Sequence, residues 1–405
     1  MAWPSNRGVS KEQLADWQAR FRESDAAAGI EVTEDFEPFN QINDMFTRAF
    51  WDDSVKSKHT EAFFESYRMQ ASYRKGDGFR QKDFALRNAS WLISDVISDR
   101  AAHEGRREGF QAPIATDTPV AESKAEIEDA GLMADEIKRI ARFFGADLVG
   151  ITEMDERWLY SARVDVRDFS EAPNDLPEGI TSVIVLGHQM ERELVATYPS
   201  ALAGAATGRE YSHEAAIVMQ LSAYIRNLGY EAVGSMNDTG LVIPYAVKAG
   251  LGEYARNQMV ITPEFGPRLR FSKIFTSLPL THDRPQKLGV TEFCNICTKC
   301  ADGCPAKALP WGPPETSNDD QSAISGVRKW TSDAKACFGY WAKLRSDCAI
   351  CMRVCPFNRD FSRWQDRLWL RLALSPWRKL ALWWDKKRPQ DARTKPSDWW
   401  AGKES

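Results

Sequence analysis

Apolar residues change their spacing along this chain, and the changes outline its parts. In residues 1–110 the pattern is helical and somewhat irregular. Lys11 to Ala28 reads as a helix. Leu86, Ala89, Ile93, Val96 and Ile97 recur at three- and four-residue intervals, which predicts a second helix over 82–100 with one apolar face. Between them, Phe36 to Trp51 is aromatic without a clear period, and 111–127 reads as a linker or surface loop.

From about residue 130 the pattern becomes α/β. Ala134 to Phe144 is amphipathic and stops at Gly145. Leu148–Ile151 and Val183–Gly187 read as buried strands. Glu214 to Leu228 is a helix ended by Gly229, and a strand starts at Tyr230–Val233. This alternation favours a layered α/β core. Lys248 to Asn257 carries Gly250 and Gly252 close together, where backbone can approach a ligand or simply turn. The stretch does not fit G-x-G-x-x-G, so no nicotinamide site is expected there. Ile261 to Pro267 reads as a rigid turn, followed by Arg268-Leu269-Arg270.

A chain of 405 residues has room for two or three domains. Its 53 basic and 57 acidic residues nearly balance, which argues against a nucleic-acid binder. No run of eighteen apolar residues exists, so no transmembrane helix is expected. Met1 to Arg7 has no signal pattern, which predicts a cytoplasmic protein; the alternative is an exported one whose signal has been removed. Past Pro356 the composition shifts again. Seven of the fifteen tryptophans lie there, and from Phe361 onward eleven Lys or Arg face five Asp or Glu. Such a tail either docks on a membrane surface or an anchor protein, or folds back and buries its indoles. The second is favoured.

All eight cysteines lie between 294 and 355. Cys294, Cys297, Cys300 and Cys304-Pro305 form C-x2-C-x2-C-x3-C-P, and Cys348, Cys351 and Cys355-Pro356 repeat its second half. In such runs thiolates hold iron–sulfur cubes, and the fourth cysteine serves the other cluster. That assigns Cys294, Cys297, Cys300 and Cys355 to one 4Fe–4S cluster. Cys304, Cys348 and Cys351 take Cys337 as fourth ligand of the second. Structural zinc does not explain two C-x3-C-P endings, and disulfides suit small secreted domains.

Two clusters in one chain pass single electrons from an outside donor to a buried acceptor. Composition does not name the acceptor. None of the five histidines sits in Asp-x-His-x-x-Gly, the pattern that offers cobalamin a lower ligand. Several segments together resemble the corrinoid- and iron–sulfur-dependent reductive dehalogenases. They are Phe39–Asn43, Thr47–Asp52, Gln81–Ala89, Ala249–Glu253, Ile261–Pro267 and both cysteine runs. The resemblance implies a nitroreductase-like corrinoid-binding α/β domain (128–285) after an N-terminal mostly helical region and linker (1–127). A ferredoxin-like two-cluster domain (286–360) and the Trp-rich basic tail (361–405) follow. It implies a base-off corrinoid, with contacts at Gly250, Gly252, Asn257, Pro263 and Phe265. It also implies Tyr211 as proton donor, Arg270 as the cation supporting its phenolate, and Asn237 holding the phenol or the departing halide. A guanidinium beside a phenol lowers its pKa.

The substrate expected is a small halogenated organic molecule. The electron donor expected is a low-potential ferredoxin, flavodoxin or membrane redox partner, and a homodimer is a further expectation. Two rivals remain: an epoxyqueuosine reductase, which would need a basic face for tRNA, and an electron carrier with no corrinoid.

Overall fold

A computed structural model describes residues 9–67, 75–103, 118–165, 168–174, 176–316 and 319–403. The first eight residues and the 111–117 part of the expected linker lie outside them. At the centre is a four-stranded antiparallel sheet, ordered Leu148–Glu153, Ser182–Gln189, Leu269–Thr276, Ala232–Ser235. Three of these strands follow the apolar runs in the sequence. The fourth, Leu269–Thr276, joins the sheet's two halves, yet Arg270 and Lys273 hide its pattern.

Helices cover both faces. On one, Ala130–Phe144 and Gly204–Asn227 pack Ile137, Ala141, Val218 and Leu221 onto Ile151, Ile184 and Ile274. On the other, Val185, Phe271 and Phe275 meet Tyr245 and the N-terminal residues Trp17, Phe21 and Phe36. Asp129 caps the first helix by accepting from Gly131 N and Leu132 N, and Gly145 ends it at φ +114°.

The N-terminal region shares this core. The expected helix over 11–28 is two helices, Lys11–Arg20 and Arg22–Ala28, broken at the fully buried Phe21. Val32–Glu37 is a strand paired with Ser325–Val327 from the cysteine region. Helix Gln81–His103 forms, but only Leu86 and Ile97 of its predicted apolar face pack against the core. It buries Asp83, Phe84, Arg87 and Ser94, and exposes Leu92, Ile93 and Val96. The reason is its neighbour: the Gly204–Asn227 helix offers small residues there. Ser212 Oγ donates to Ser90 O at 2.6 Å, and a methyl on Gly208 would land 2.3 Å from Trp91.

The tail divides. Trp369 is fully buried, and Trp400 Nε1 donates to Asp83 at 2.7 Å. Trp364, Trp377 and Trp383 stand in solvent at 65, 68 and 58% exposure. No helix among the described residues is long and apolar enough to cross a membrane.

A buried charge network ties the N-terminal helices to the sheet. Arg157 pairs with Asp25 at 2.7 Å and Asp155 at 2.6 Å, and Lys248 reaches Asp155 at 2.7 Å. Burial works against the Asp155 carboxylate, but these cations outweigh it and lower its pKa. Its contribution to stability is therefore present above the ordinary carboxylate range and lost as pH falls through the lowered value. Asp155→Asn leaves two buried cations undercompensated. We expect a loss of about 3 kcal/mol, read by urea denaturation at neutral pH.

Candidate active site and redox centres

Strand alternation turns Arg270 toward the Gly204–Asn227 helix, on the same face as Ile274. That helix starts ten residues before the expected position, so Tyr211 lies inside it. The Arg270 guanidinium sits 5.1 Å from the Tyr211 ring centroid, and Nη2 donates to Thr207 Oγ1 at 3.4 Å. Asn237 follows the Ala232–Ser235 strand, and its Nδ2 donates to the Tyr211 hydroxyl oxygen at 2.9 Å. Trp91 stacks on Tyr211 at 4.7 Å and 23°. The structure thus brings Tyr211, Asn237 and Arg270 together.

Lys273, three residues beyond Arg270, builds the turn that presents Asn237. It is fully buried, and its Nζ donates to Met236 O at 2.8 Å and Asp238 O at 2.9 Å. Met236 N donates to Asp238 Oδ2 at 2.9 Å, closing the turn from within. On the far side Thr207 Oγ1 donates to Asp347 Oδ2 at 2.8 Å, and Tyr198 OH donates to the same oxygen at 2.6 Å. Thr207, Lys273, Trp91 and Asp347 went unmarked in the sequence. The i, i+4, i+7 spacing of Thr207, Tyr211 and Glu214 was the available signal.

Burial raises the Tyr211 phenol above its ordinary value. Arg270 and the Asn237 bond pull it down, in the expected direction, but do not overcome burial. The phenol therefore keeps its proton at neutral pH.

Tyr160 OH donates to Asn237 O at 2.8 Å and forms part of the wall of a 940 Å³ cavity. Trp158, Ile243, Val247 and Ile324 supply apolar wall; Arg256, Gln258, Asn295 and Lys329 supply polar groups. Of the five expected cofactor contacts, none is among the wall residues. Gly250 and Gly252 serve the protein's own packing. Gly250 has φ +73°, and a methyl there would lie 2.5 Å from Arg284 O; one on Gly252 would lie 2.3 Å from Ile261 O. Pro263 and Phe265 belong to the Ile261–Pro267 turn, where Gly266 abuts Phe357 beside the last cysteine run. Asn257 is buried between two wall residues, and its Nδ2 has no hydrogen-bond partner in the protein.

The cysteine region forms the opposite wall. Glu253 caps helix Val290–Ile296, accepting from Leu288 N at 2.7 Å and Val290 N at 2.5 Å. Arg256 donates to Cys294 O at 2.8 Å and Cys297 O at 3.1 Å. The eight thiols gather into two groups of interacting neighbours. Cys355 interacts with Cys294, Cys297 and Cys300. Cys351 interacts with Cys348, Cys337 and Cys304, and also with Cys300 across the gap. Burial pushes Cys294, Cys300 and Cys348 up to about 12 and Cys337 to about 11. A bound cluster must offset that cost.

Residues 293–358 match the family described as a 4Fe-4S double cluster binding domain. Over 402 residues the chain is 35% identical to tetrachloroethene reductive dehalogenase of Sulfurospirillum multivorans, covering 88% of this chain and 79% of that protein. It is 36% identical over 261 residues to the enzyme of the same name from Dehalobacter restrictus, covering 55% of this chain and 47% of that one. The fold matches a solved reductive dehalogenase whose structure suggests a mechanism for B12-dependent dehalogenation. The TM-score is 0.69 at 21% identity, over 90% of this chain and 48% of that one. The chain thus spans about half the length of two of these three proteins.

Burial lowers the Lys273 ammonium from 10.5 to about 8. The unfolded chain then holds the proton more tightly between those values, so stability rises with pH from about 8 to 10.5. Lys273→Met is expected to shrink that rise in a urea-denaturation pH series. Lys329, also lowered to about 8, retains a share of it.

Proposed function

This chain belongs to the reductive dehalogenase family, and from that premise we propose that it replaces a carbon–halogen bond by carbon–hydrogen in a small organohalide. The observation that carries the proposal is one of placement. The Tyr211–Asn237–Arg270 cluster lies one side chain, Tyr160, from a cavity whose far wall includes Asn295, the residue after Cys294.

The cavity suits a corrinoid. A macrocycle with an apolar face and an amide rim fits apolar walls edged by polar groups, and Asn257 Nδ2 is a buried donor with no protein partner. Gln258, Asn295 and Lys329 are the further residues that would hold it, in a sheet-and-helix unit we read as nitroreductase-like. When bound, the group supplies low-valent cobalt chemistry toward the carbon–halogen bond.

The protein's own residues supply the rest. Tyr211 gives up its proton, breaking O–H as the new C–H forms. Arg270 stabilises the phenolate left behind, and Asn237 keeps the phenol oxygen in place. Trp91 fixes the ring plane. We assign one cluster to Cys294, Cys297, Cys300 and Cys355, beside the cavity. The second goes to Cys304, Cys337, Cys348 and Cys351, three of them partly exposed, and faces the low-potential donor. The exposed Trp364, Trp377 and Trp383, among basic residues, would carry any membrane or anchor-protein contact.

Anaerobic reconstitution with iron, sulfide and corrinoid should load one cobalt and about eight iron per chain. Supplied with reduced methyl viologen as electron donor, the loaded protein should then release chloride from tetrachloroethene. Tyr211→Phe should keep both metals and lose roughly 100-fold or more in turnover. Eight iron without cobalt would overturn the reading.

A further inference from the structure

Each turnover removes a proton from Tyr211, which is 94% buried beneath Trp91. The proton must be replaced before the next. One turn along the same helix lies Glu214, 1% exposed, and neither of its carboxyl oxygens has a hydrogen-bond partner in the protein. An ionised carboxylate left so would be strongly disfavoured, as any unpaired buried ion is.

The charges facing Glu214 come from three elements. Arg270 and Lys273 reach it from the central strand, Asp238 from the turn, and Glu210 from its own helix, which also carries Tyr211. The two cations are engaged elsewhere, Arg270 with Thr207 and Lys273 with two carbonyls. Burial raises Glu214 to about 8, with Arg270 and Lys273 pulling down and Glu210 and Asp238 pushing up. Glu210, four residues back, leads outward. Its carboxylate lies 3.3 Å from Arg209 and 3.7 Å from His213, whose side chains are each 52% exposed.

We propose that Glu214 is the proton reservoir of this site: it is protonated at neutral pH, re-protonates Tyr211 after each turnover, and is refilled from solvent by way of His213 and Glu210. In the transfer the carboxyl O–H breaks and the phenol O–H forms. The carboxylate left behind is balanced by Arg270 and Lys273, and one solvent proton restores it. No electron moves in this step. The proposal rests on the dehalogenase reading for its purpose, but the proton on Glu214 is testable without it.

The first test is infrared difference spectroscopy of the reconstituted protein without substrate. A protonated carboxylic acid band, shifted in heavy water, should be present at neutral pH and titrate away near pH 8. Glu214→Gln should lose the component that titrates near pH 8 and keep only a lower-pH one from Glu210, itself raised to about 7 by burial; Glu210→Gln should keep the component near pH 8. No band difference between wild type and Glu214→Gln overturns the proposal.

The second test is tetrachloroethene turnover. In Glu214→Gln the first turnover, which spends the proton already on Tyr211, should run at the wild-type rate. Later turnovers should slow roughly 100-fold. Glu210→Gln should slow only the later ones, by less. An equal slowing of first and later turnovers in both variants points to a structural role and overturns the reservoir. Should the wild type release no chloride, the dehalogenase reading fails, and the infrared band alone decides whether Glu214 holds the proton.

Discussion

Two cations in one strand hold this site together. Leu269–Thr276 lies inside the sheet, with a partner on either side, and still carries Arg270 and Lys273. A charge placed there must find polar partners, because the surrounding protein solvates it poorly. Lys273 finds two carbonyls of the turn that presents Asn237, and Arg270 finds Thr207 and the ring of Tyr211. The need to satisfy those charges draws the turn and the helix to the strand. The three polar residues of the site meet as a result.

The same logic organises the wall shared by the cavity and the cysteines. Glu253 spends its carboxylate on the exposed N–H groups of helix Val290–Ile296, and Arg256 spends its guanidinium on carbonyls around Cys294 and Cys297. The two residues flank Tyr254, itself a wall residue. One short segment therefore lines the cavity and fixes the first cysteine run. An electron carrier beside the cavity and a ligand within it would be held by the same backbone.

The cysteine spacing made the double-cluster region legible, since thiolates at those intervals have few other uses. The strands at Leu148, Val183 and Ala232 were legible as apolar runs bounded by glycine. Leu269–Thr276 was not, because its two cations break the apolar pattern, and their partners come from residues 207 and 236–238. Helix Gln81–His103 misled in its orientation. The middle of its apolar stripe, Ile93 and Val96, points outward, while Arg87 and Ser94 point in, for reasons that lie in the helix beside it. At Gly250 and Gly252, where corrinoid contacts were expected, the protein's own backbone approaches closely. A glycine in a sequence reports that something approaches closely, not what approaches.

The pairing of Val32–Glu37 with Ser325–Val327 has a kinetic consequence. Arg328 N also donates to Glu31 O at 3.0 Å, so the first edge of the fold is closed by residues nearly three hundred positions later. During synthesis the backbone of the strand carrying Phe36 waits for its pairing partner until most of the chain has been made. Closing so long a loop is slow compared with local helix formation, and an unpaired strand is open to wrong partners meanwhile. Assembly of this protein is thus timed by its C-terminal half: the cysteine-bearing region completes the N-terminal strand as well as housing its own thiols.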